Sequence, residues 1–200
     1  MIIMRKAKPN AKAAAKEASH ERIVAVAARA IRQTGYAGTG VADIMKQAGL
    51  THGAFYAHFE SRDAMLAEAA DRAGAESVAA AAAAVAQVPP AQALEAMLRL
   101  YLSQAHVASA ELGCPAAALC SEMPRQAPEV RRAATRHIKE MVDLVARQSP
   151  DWGQPGAHEQ ALFTVATMVG AVVLARAVDD AGLSDAICQA ALAHLVPQQP

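Results

Sequence analysis

Only three cysteines occur in the 200 residues. That is too few for a disulfide framework and fits a reducing compartment. Aromatic residues are equally scarce, with three Phe, three Tyr and one Trp. Runs of β-branched and aromatic residues in period-two alternation are missing, which argues against sheet. The best membrane candidate, Ala161 to Ala175, holds 15 residues before Arg176, short of the ~20 that span a bilayer. "MIIM" is too short for the apolar region of a signal peptide. A soluble, cytoplasmic protein without a membrane partner is therefore expected. The fingerprint G-x-G-x-x-G is absent and no Gly-Lys-Ser/Thr follows "GYAGTG", so that segment reads as a turn rather than a phosphate cradle. No nucleophile–base pairing, metal-ligand spacing or cofactor fingerprint supports an enzyme. Neither a metal nor a cofactor is expected.

What is present forms helix. The composition is 54% apolar and rich in alanine, a strong helix former. Residues 1–18 are basic and lack an apolar stripe, and so read as a flexible arm. Ser19 can cap a helix carrying Ile23, Val26, Ala27, Ala30 and Ile31 on one face, with Gly35 as its terminal glycine. Val41, Ile44, Met45 and Ala48 stripe a short second helix, which Gly49 breaks. Thr51 can cap a third helix over roughly 52–58. Ser61 can cap a fourth, which stops before Pro89-Pro90. A fifth is striped by Leu94, Met97, Leu98, Tyr101, Leu102 and Ala105. Others start at Pro115 and Pro128. An apolar helix runs from about 157 to 180, and Ser184 caps a last one. The expectation is an all-α chain of about nine helices.

Net charge is zero but unevenly placed. Residues 1–62 carry ten Lys/Arg against four Asp/Glu, or +6, and residues 63–200 carry nine against fifteen, or −6. A basic head on an acidic body points to a polyanion partner for the head.

The chemistry concentrates in "LTHGAFYAHFESR", Leu50 to Arg62. A short helix, the turn "AGL" and a second short helix make a helix-turn-helix, whose second helix enters the DNA major groove. On that second helix Phe55 and Phe59 anchor one face. Gly53, Ala54 and Ala57 leave the opposite face bare, so backbone can approach a surface. Tyr56 and His58 flank it and can reach phosphate oxygens. Lys46 and Arg62 add charge at its edges. His52 and His58 are six apart and fall on different faces, so they do not make a metal pair.

Ile23 to Ala69 resembles the DNA-binding head of the TetR family of transcriptional repressors. The marks are the Gly-Tyr pair ending the first helix, a following Thr, Ile-x-x-x-Ala-Gly-Leu, the Gly before Phe-Tyr, x-His-Phe, and the Ser-Arg-Asp start of the next helix. "GCPAAALCSEMPRQAPEVR" is similar to a middle segment of one broad subset of the family. The resemblance implies phosphate contacts at Thr39, Tyr56 and His58, and base reading at Thr51, His52, Gly53 and Ala54. Arg62 stands where the family usually has Lys, which keeps the charge but changes its geometry. It also implies three parts: the arm at 1–18, a helix-turn-helix DNA-binding domain at 19–66, and an effector-binding and dimerisation domain at 67–200.

The helix from 157 to 180 is apolar nearly all round, so a second chain is expected to cover one side. Candidate interface residues are Val169, Gly170, Val173, Leu174, Ala177, Leu192 and Leu195. A homodimer would present two recognition helices to a palindromic double-stranded operator. The family holds a small-molecule effector between its helices. Polar or soft residues on apolar faces are candidates here: Tyr101, His106, Met123, His137, Met141, Phe163, Thr167 and Met168. Cys114 and Cys120 are candidate sensing thiols, Cys114 standing at the cap of its helix, where a thiolate is favoured. The expected function is a ligand-released repressor acting on an apolar or aromatic effector. A small helical enzyme or ligand carrier, and a transcriptional activator, are the alternatives.

Overall fold

The computed structural model describes residues 11–149 and 151–196, which form nine α-helices and several 3-10 turns, with no strand among the described residues. The helices are α1 (Ala11–Thr34), α2 (Val41–Gln47), α3 (Arg62–Ala86), α4 (Ala93–Tyr101), α5 (Gln104–Ala108), α6 (Pro115–Leu119), α7 (Pro128–Ala146), α8 (Ala157–Ala177) and α9 (Ala181–Leu195).

Helix α1 starts at Ala11, not at Ser19. The Ala-Lys segment continues the helix backwards, and the Ser19 hydroxyl donates to the Ala15 carbonyl instead of capping. The rest of the basic arm, residues 1–10, lies outside the described residues. The stretch 52–58 is also different from expectation. His52–Ala57 is a 3-10 helix, and the Thr51 side chain makes no capping bond. The segment is held at Phe55 and Phe59 rather than by its own ladder, and tight i to i+3 bonds serve short segments well. The fifth expected helix breaks at Leu102 into α4 and α5, where Ser103 caps α5 by accepting from the His106 N–H. Ser61 caps α3 as expected, accepting from the Ala64 N–H at 3.0 Å. Asp180, rather than Ser184, caps α9.

Two cores result. In the head, Ile23, Ala27 and Ile31 of α1 meet Ile44 and Met45 of α2, Phe55 and Phe59, and Met65 and Leu66 of α3. Fully burying one such large side chain is worth about 1.5–3 kcal/mol. Leu119, Val130 and Ala133 of the body join this same cluster. The second core gathers Met97, Leu98, Val142, Val145, Val165, Met168 and Val172 from α4, α7 and α8. Helix α3 runs from the head into the body and packs against α1, α4 and α7.

The joint is polar as well as apolar. Arg32 of α1 is buried, and its guanidinium donates to the Glu76 carboxylate at 2.9 Å and to the Gly113 carbonyl at 3.4 Å. Glu122, beyond α6, accepts the Tyr36 N–H at 3.0 Å. Gly35 has φ +74°, and its open side faces the Glu122 carboxylate. A side chain there would both strain the backbone and displace the carboxylate.

Candidate functional site

The segment after the "AGL" turn presents a flat face. Phe55 and Phe59 are buried, stacked with ring centroids 5.5 Å apart, and His20 of α1 stacks on Phe59 at 4.6 Å. These contacts clamp the segment to α1. Outward, Thr51, His52, Gly53, Tyr56 and Ala57 are exposed and Ala54 is half-buried. Tyr56 is 73% exposed, so its hydroxyl stands free of the head. No atom lies within 4 Å of where a Gly53 Cβ would stand. The fold itself therefore sets no demand for glycine there. Lys46, at the end of α2, is exposed beside this face. His58 is half-buried, and desolvation, with the nearby His20 and Lys16 charges, lowers its pKa below that of an ordinary histidine.

A narrow cavity of about 40 Å³ lies between the two cores. Its wall takes Tyr36 from the head, Ala70 and Gly74 from α3, Tyr101 from α4, Met141 from α7 and Met168 from α8. A wider cavity of about 220 Å³ adjoins it, and the two share Ser77, Tyr101 and Cys114. Around this shared wall, His106 accepts the Cys114 N–H on Nε2 at 2.9 Å. Its Nδ1 must then carry the proton, which it donates to the Tyr101 carbonyl. Desolvation lowers the His106 pKa, partly opposed by that bond and reinforced by Arg176. Arg176 of α8 donates to the carbonyls of His106 at 2.6 Å and Val107 at 3.1 Å, which fastens α5 to α8.

Known proteins match this arrangement along most of the chain. Residues 23–69 match the family described as bacterial regulatory proteins, tetR family, and residues 90–187 match the LmrA/YxaF-like transcriptional regulator C-terminal domain. An uncharacterised HTH-type transcriptional regulator of Mycobacterium tuberculosis, Rv0196, is 34% identical over 78% of this chain and 83% of its own. The chain belongs to the TetR family of transcriptional regulators. Family members are regulators rather than enzymes. Among solved structures, a TetR regulator from Chloroflexus aurantiacus superposes with a TM-score of 0.75 at 28% identity, covering 91% of this chain and 94% of that one. The reduced form of Escherichia coli NemR superposes at 0.76 with 20% identity, over 89% and 95%. That second likeness shows the fold alone.

Within this TetR-family head, the expected phosphate contact Thr39 and the edge charge Arg62 are turned inward. Thr39 is buried, and its hydroxyl donates to the Gly35 carbonyl at 2.7 Å. The Arg62 guanidinium bonds the carbonyls of Tyr36 and Thr39, the latter at 3.0 Å through Nη2. The reason is local. The glycine-rich turn leaves carbonyls without helical partners, and a long side chain at the start of α3 reaches them. Arg62 is thus a positioning residue for the turn before α2.

In the body, Tyr101, Met123, His137, Met141 and Met168 line the inner cavity, and Tyr101 and His106 line the outer one. Phe163 does not; it is 59% exposed on the far side of α8. Thr167 is half-buried and lines neither cavity. The ring nitrogens of His137 each meet a carboxylate oxygen at 2.6 Å, from Asp71 and Glu140, so protein groups are its partners. Of the interface candidates, Val173, Leu174 and Ala177 are exposed, and Gly170 has open space around it. Leu195 is buried in its own core, Leu192 packs against that core, and Val169 lines the inner cavity. Helix α9 folds back onto α8 and takes Leu192 and Leu195 with it. On α8 and α9, Leu162, Phe163 and Leu183 are also exposed, though residue pattern did not place them at an interface. Cys114 and Cys120 stand at the two ends of α6 and line the cavity. Desolvation raises the Cys120 pKa, and Cys114 adds to it.

Tyr36 is a cavity residue that sequence pattern placed only in the Gly-Tyr pair and not among the pocket candidates. It sits in the head, one residue past the terminal glycine of α1. Its size in a turn of small residues was the available signal.

Proposed function

We propose that the protein is a homodimeric repressor that binds a palindromic operator and is released by a small apolar effector. The single observation that carries DNA binding is the unobstructed face over Thr51–Ala57. It has open space at Gly53, with Tyr56 free to meet phosphate and Lys46 beside it. Thr51 and His52 are the side chains placed to read base edges, with backbone approach at Gly53 and Ala54. Lys46, Tyr56 and His58 hold phosphate. Thr39 and Arg62 act indirectly, by fixing the turn that carries α2.

The exposed apolar stripe of Leu162, Phe163, Ala166, Val173, Leu174 and Ala177 on α8 supports dimerisation through α8 and α9. An α8 covered in this way is a subunit interface rather than a membrane span, and the protein acts in the cytoplasm. Effector binding shifts the population toward a head spacing that no longer fits two half-sites, with a coupling of typically ~1–3 kcal/mol. A sensing thiol does not enter this reading: Cys114 is buried, and the raised Cys120 pKa disfavours a reactive thiolate there.

Selection of bound sites from random DNA by the purified full chain tests the reading. A palindrome with half-sites one helical turn apart is expected. Failure to enrich any sequence would overturn it. The position of that palindrome relative to promoters separates a repressor from an activator.

A further inference from the structure

Tyr36 and Tyr101 line the inner cavity, and among the described residues neither phenol hydroxyl has an oxygen or nitrogen hydrogen-bond partner; the weak Cys114 thiol is the one group beside the Tyr101 hydroxyl. Tyr36 and Tyr101 are 1% and 6% exposed, and both Oη atoms are buried with no oxygen or nitrogen partner. Buried polar groups are nearly always satisfied, and an unmade bond is costly. Phenylalanine would fill either position as well in a plain core. Burial raises the pKa of both phenols, reinforced by Glu122 at Tyr36 and by Cys114 at Tyr101, so each keeps its proton and can donate as well as accept. The surrounding wall is soft, with Met123, Met141 and Met168. Thioethers adapt to irregular shapes and make favourable contacts with aromatic rings.

We propose that the inner cavity takes a flat aromatic molecule carrying two hydrogen-bonding oxygens, one bonded by Tyr36 and the other by Tyr101. This rests on the ligand-released regulator reading and names the ligand chemistry and the residue that transmits it. Tyr101 belongs to the body and Tyr36 to the head, so the ligand bridges the two. The Tyr36 N–H is held by Glu122 of the body, and its carbonyl by Arg62. Arg62 also holds the Thr39 carbonyl, two residues before α2. A bond to the Tyr36 hydroxyl therefore acts on the turn that aims the helix-turn-helix. The ligand-free cavity, about 40 Å³, is well below the ~150 Å³ that accepts a benzene ring. An aromatic molecule entering from the outer cavity must part the walls, and Tyr36 is one of the walls that moves.

The test uses the full-length protein, the DNA recovered by selection, and two probes, 2,6-naphthalenediol and naphthalene. Calorimetric titration reads binding without DNA. Tyr36→Phe and Tyr101→Phe should each weaken diol binding about 2–10-fold, the worth of one neutral hydrogen bond, and leave naphthalene binding unchanged. Equal losses for both probes, no loss, or no binding of the diol to the unmodified protein would overturn the site. Operator binding is then measured with saturating diol. The unmodified protein and Tyr101→Phe should lose at least fivefold in DNA affinity, and Tyr36→Phe less than twofold. Full release of Tyr36→Phe would overturn the Tyr36 link alone. Diol binding with the expected tyrosine dependence, but no release of the unmodified protein, would overturn the ligand-released reading and the link while supporting the site.

Discussion

Replacing Tyr36 by Phe should make the ligand-free protein more stable. Tyr36 is almost wholly buried and its hydroxyl is unbonded. Leaving a buried donor unsatisfied costs about 1–3 kcal/mol. Phe keeps the ring and its packing against the head, and removes only the unsatisfied group. The gain should be about 1–2 kcal/mol, taking the lower half of that range because turn residues around Tyr36 can relax. For a chain of 150–250 residues, 1 kcal/mol moves the melting temperature by about 2–4 °C. A rise of roughly 2–8 °C is therefore expected. Differential scanning calorimetry at fixed protein concentration measures it, since the melting point of the proposed dimer would depend on concentration. The outcome that refutes the reasoning is a fall in melting temperature. An ordinary buried hydroxyl with a partner loses about 0.5–1.5 kcal/mol when removed, and a fall of that size would mean that Tyr36 is already satisfied. Stabilising substitutions are commonly found where function holds a protein away from its optimum, and a ligand-contacting hydroxyl is such a case.

Gly74→Ala should destabilise by about 1–3 kcal/mol in thermal melts, because its new methyl would stand against the His137 ring, which Asp71 and Glu140 hold in place. Glu76→Ala should cost about 1–3 kcal/mol by chemical denaturation; it strands the buried Arg32 guanidinium, but Glu76 is 40% exposed, so the loss falls below the ~3–5 kcal/mol of a fully buried pair. The depressed His106 pKa makes its contribution fully present above the unfolded value of 6.5 and progressively lost as pH falls from there toward the folded value. Melting temperature should thus decline between pH 7.5 and 5.5. The decline should be shallower in His106→Gln and not abolished, since the His58 pKa is depressed in the same sense. Tyr56→Phe should weaken binding to specific and non-specific DNA alike, by about 10–150-fold for one hydrogen bond to a charged phosphate at ~1.5–3 kcal/mol. Gel-shift titrations on both DNAs check this, and a changed sequence preference at constant affinity would contradict it.

The helical layout was legible because its signals are local. Apolar spacing marked the buried faces of α1 and α2, and Ser61 marked the start of α3. The misplaced boundaries lie where local signals compete. Ser19 is a good cap, but the residues before it are equally good helix formers. His52–Ala57 has the composition of a helix end to end, yet it is held by its neighbours through Phe55 and Phe59 rather than by its own ladder. The site residues divide in the same way. Exposure of Tyr56 follows from the helix period. The inward turn of Arg62 does not, because it depends on carbonyls that the fold brings to it from the turn before α2, and that of Thr39 depends on how this turn closes on the Gly35 carbonyl.

The cavity was harder to read for a further reason. Its walls come from the head, from α3 and from α4, α6, α7 and α8, so no single helix face marks it. Polar residues on apolar stripes pointed to Tyr101 and His137, but the two have opposite outcomes. His137 is satisfied by carboxylates from α3 and α7, whereas the Tyr101 hydroxyl has no oxygen or nitrogen partner. Sequence supplies the polar residue but not its partner, and Tyr101, with no more than the weak Cys114 thiol beside its hydroxyl, has bonding capacity that His137 lacks. Tyr36 shows the same limit from the other direction. Its place beside a terminal glycine suggested only a turn, while the body helices around it turn that position into shared ground between ligand and DNA-binding head. A regulator whose cavity wall includes a residue of its own DNA-binding domain does not need a long relay through the body to join the two events. The coupling can be as short as the turn from Tyr36 to Val41.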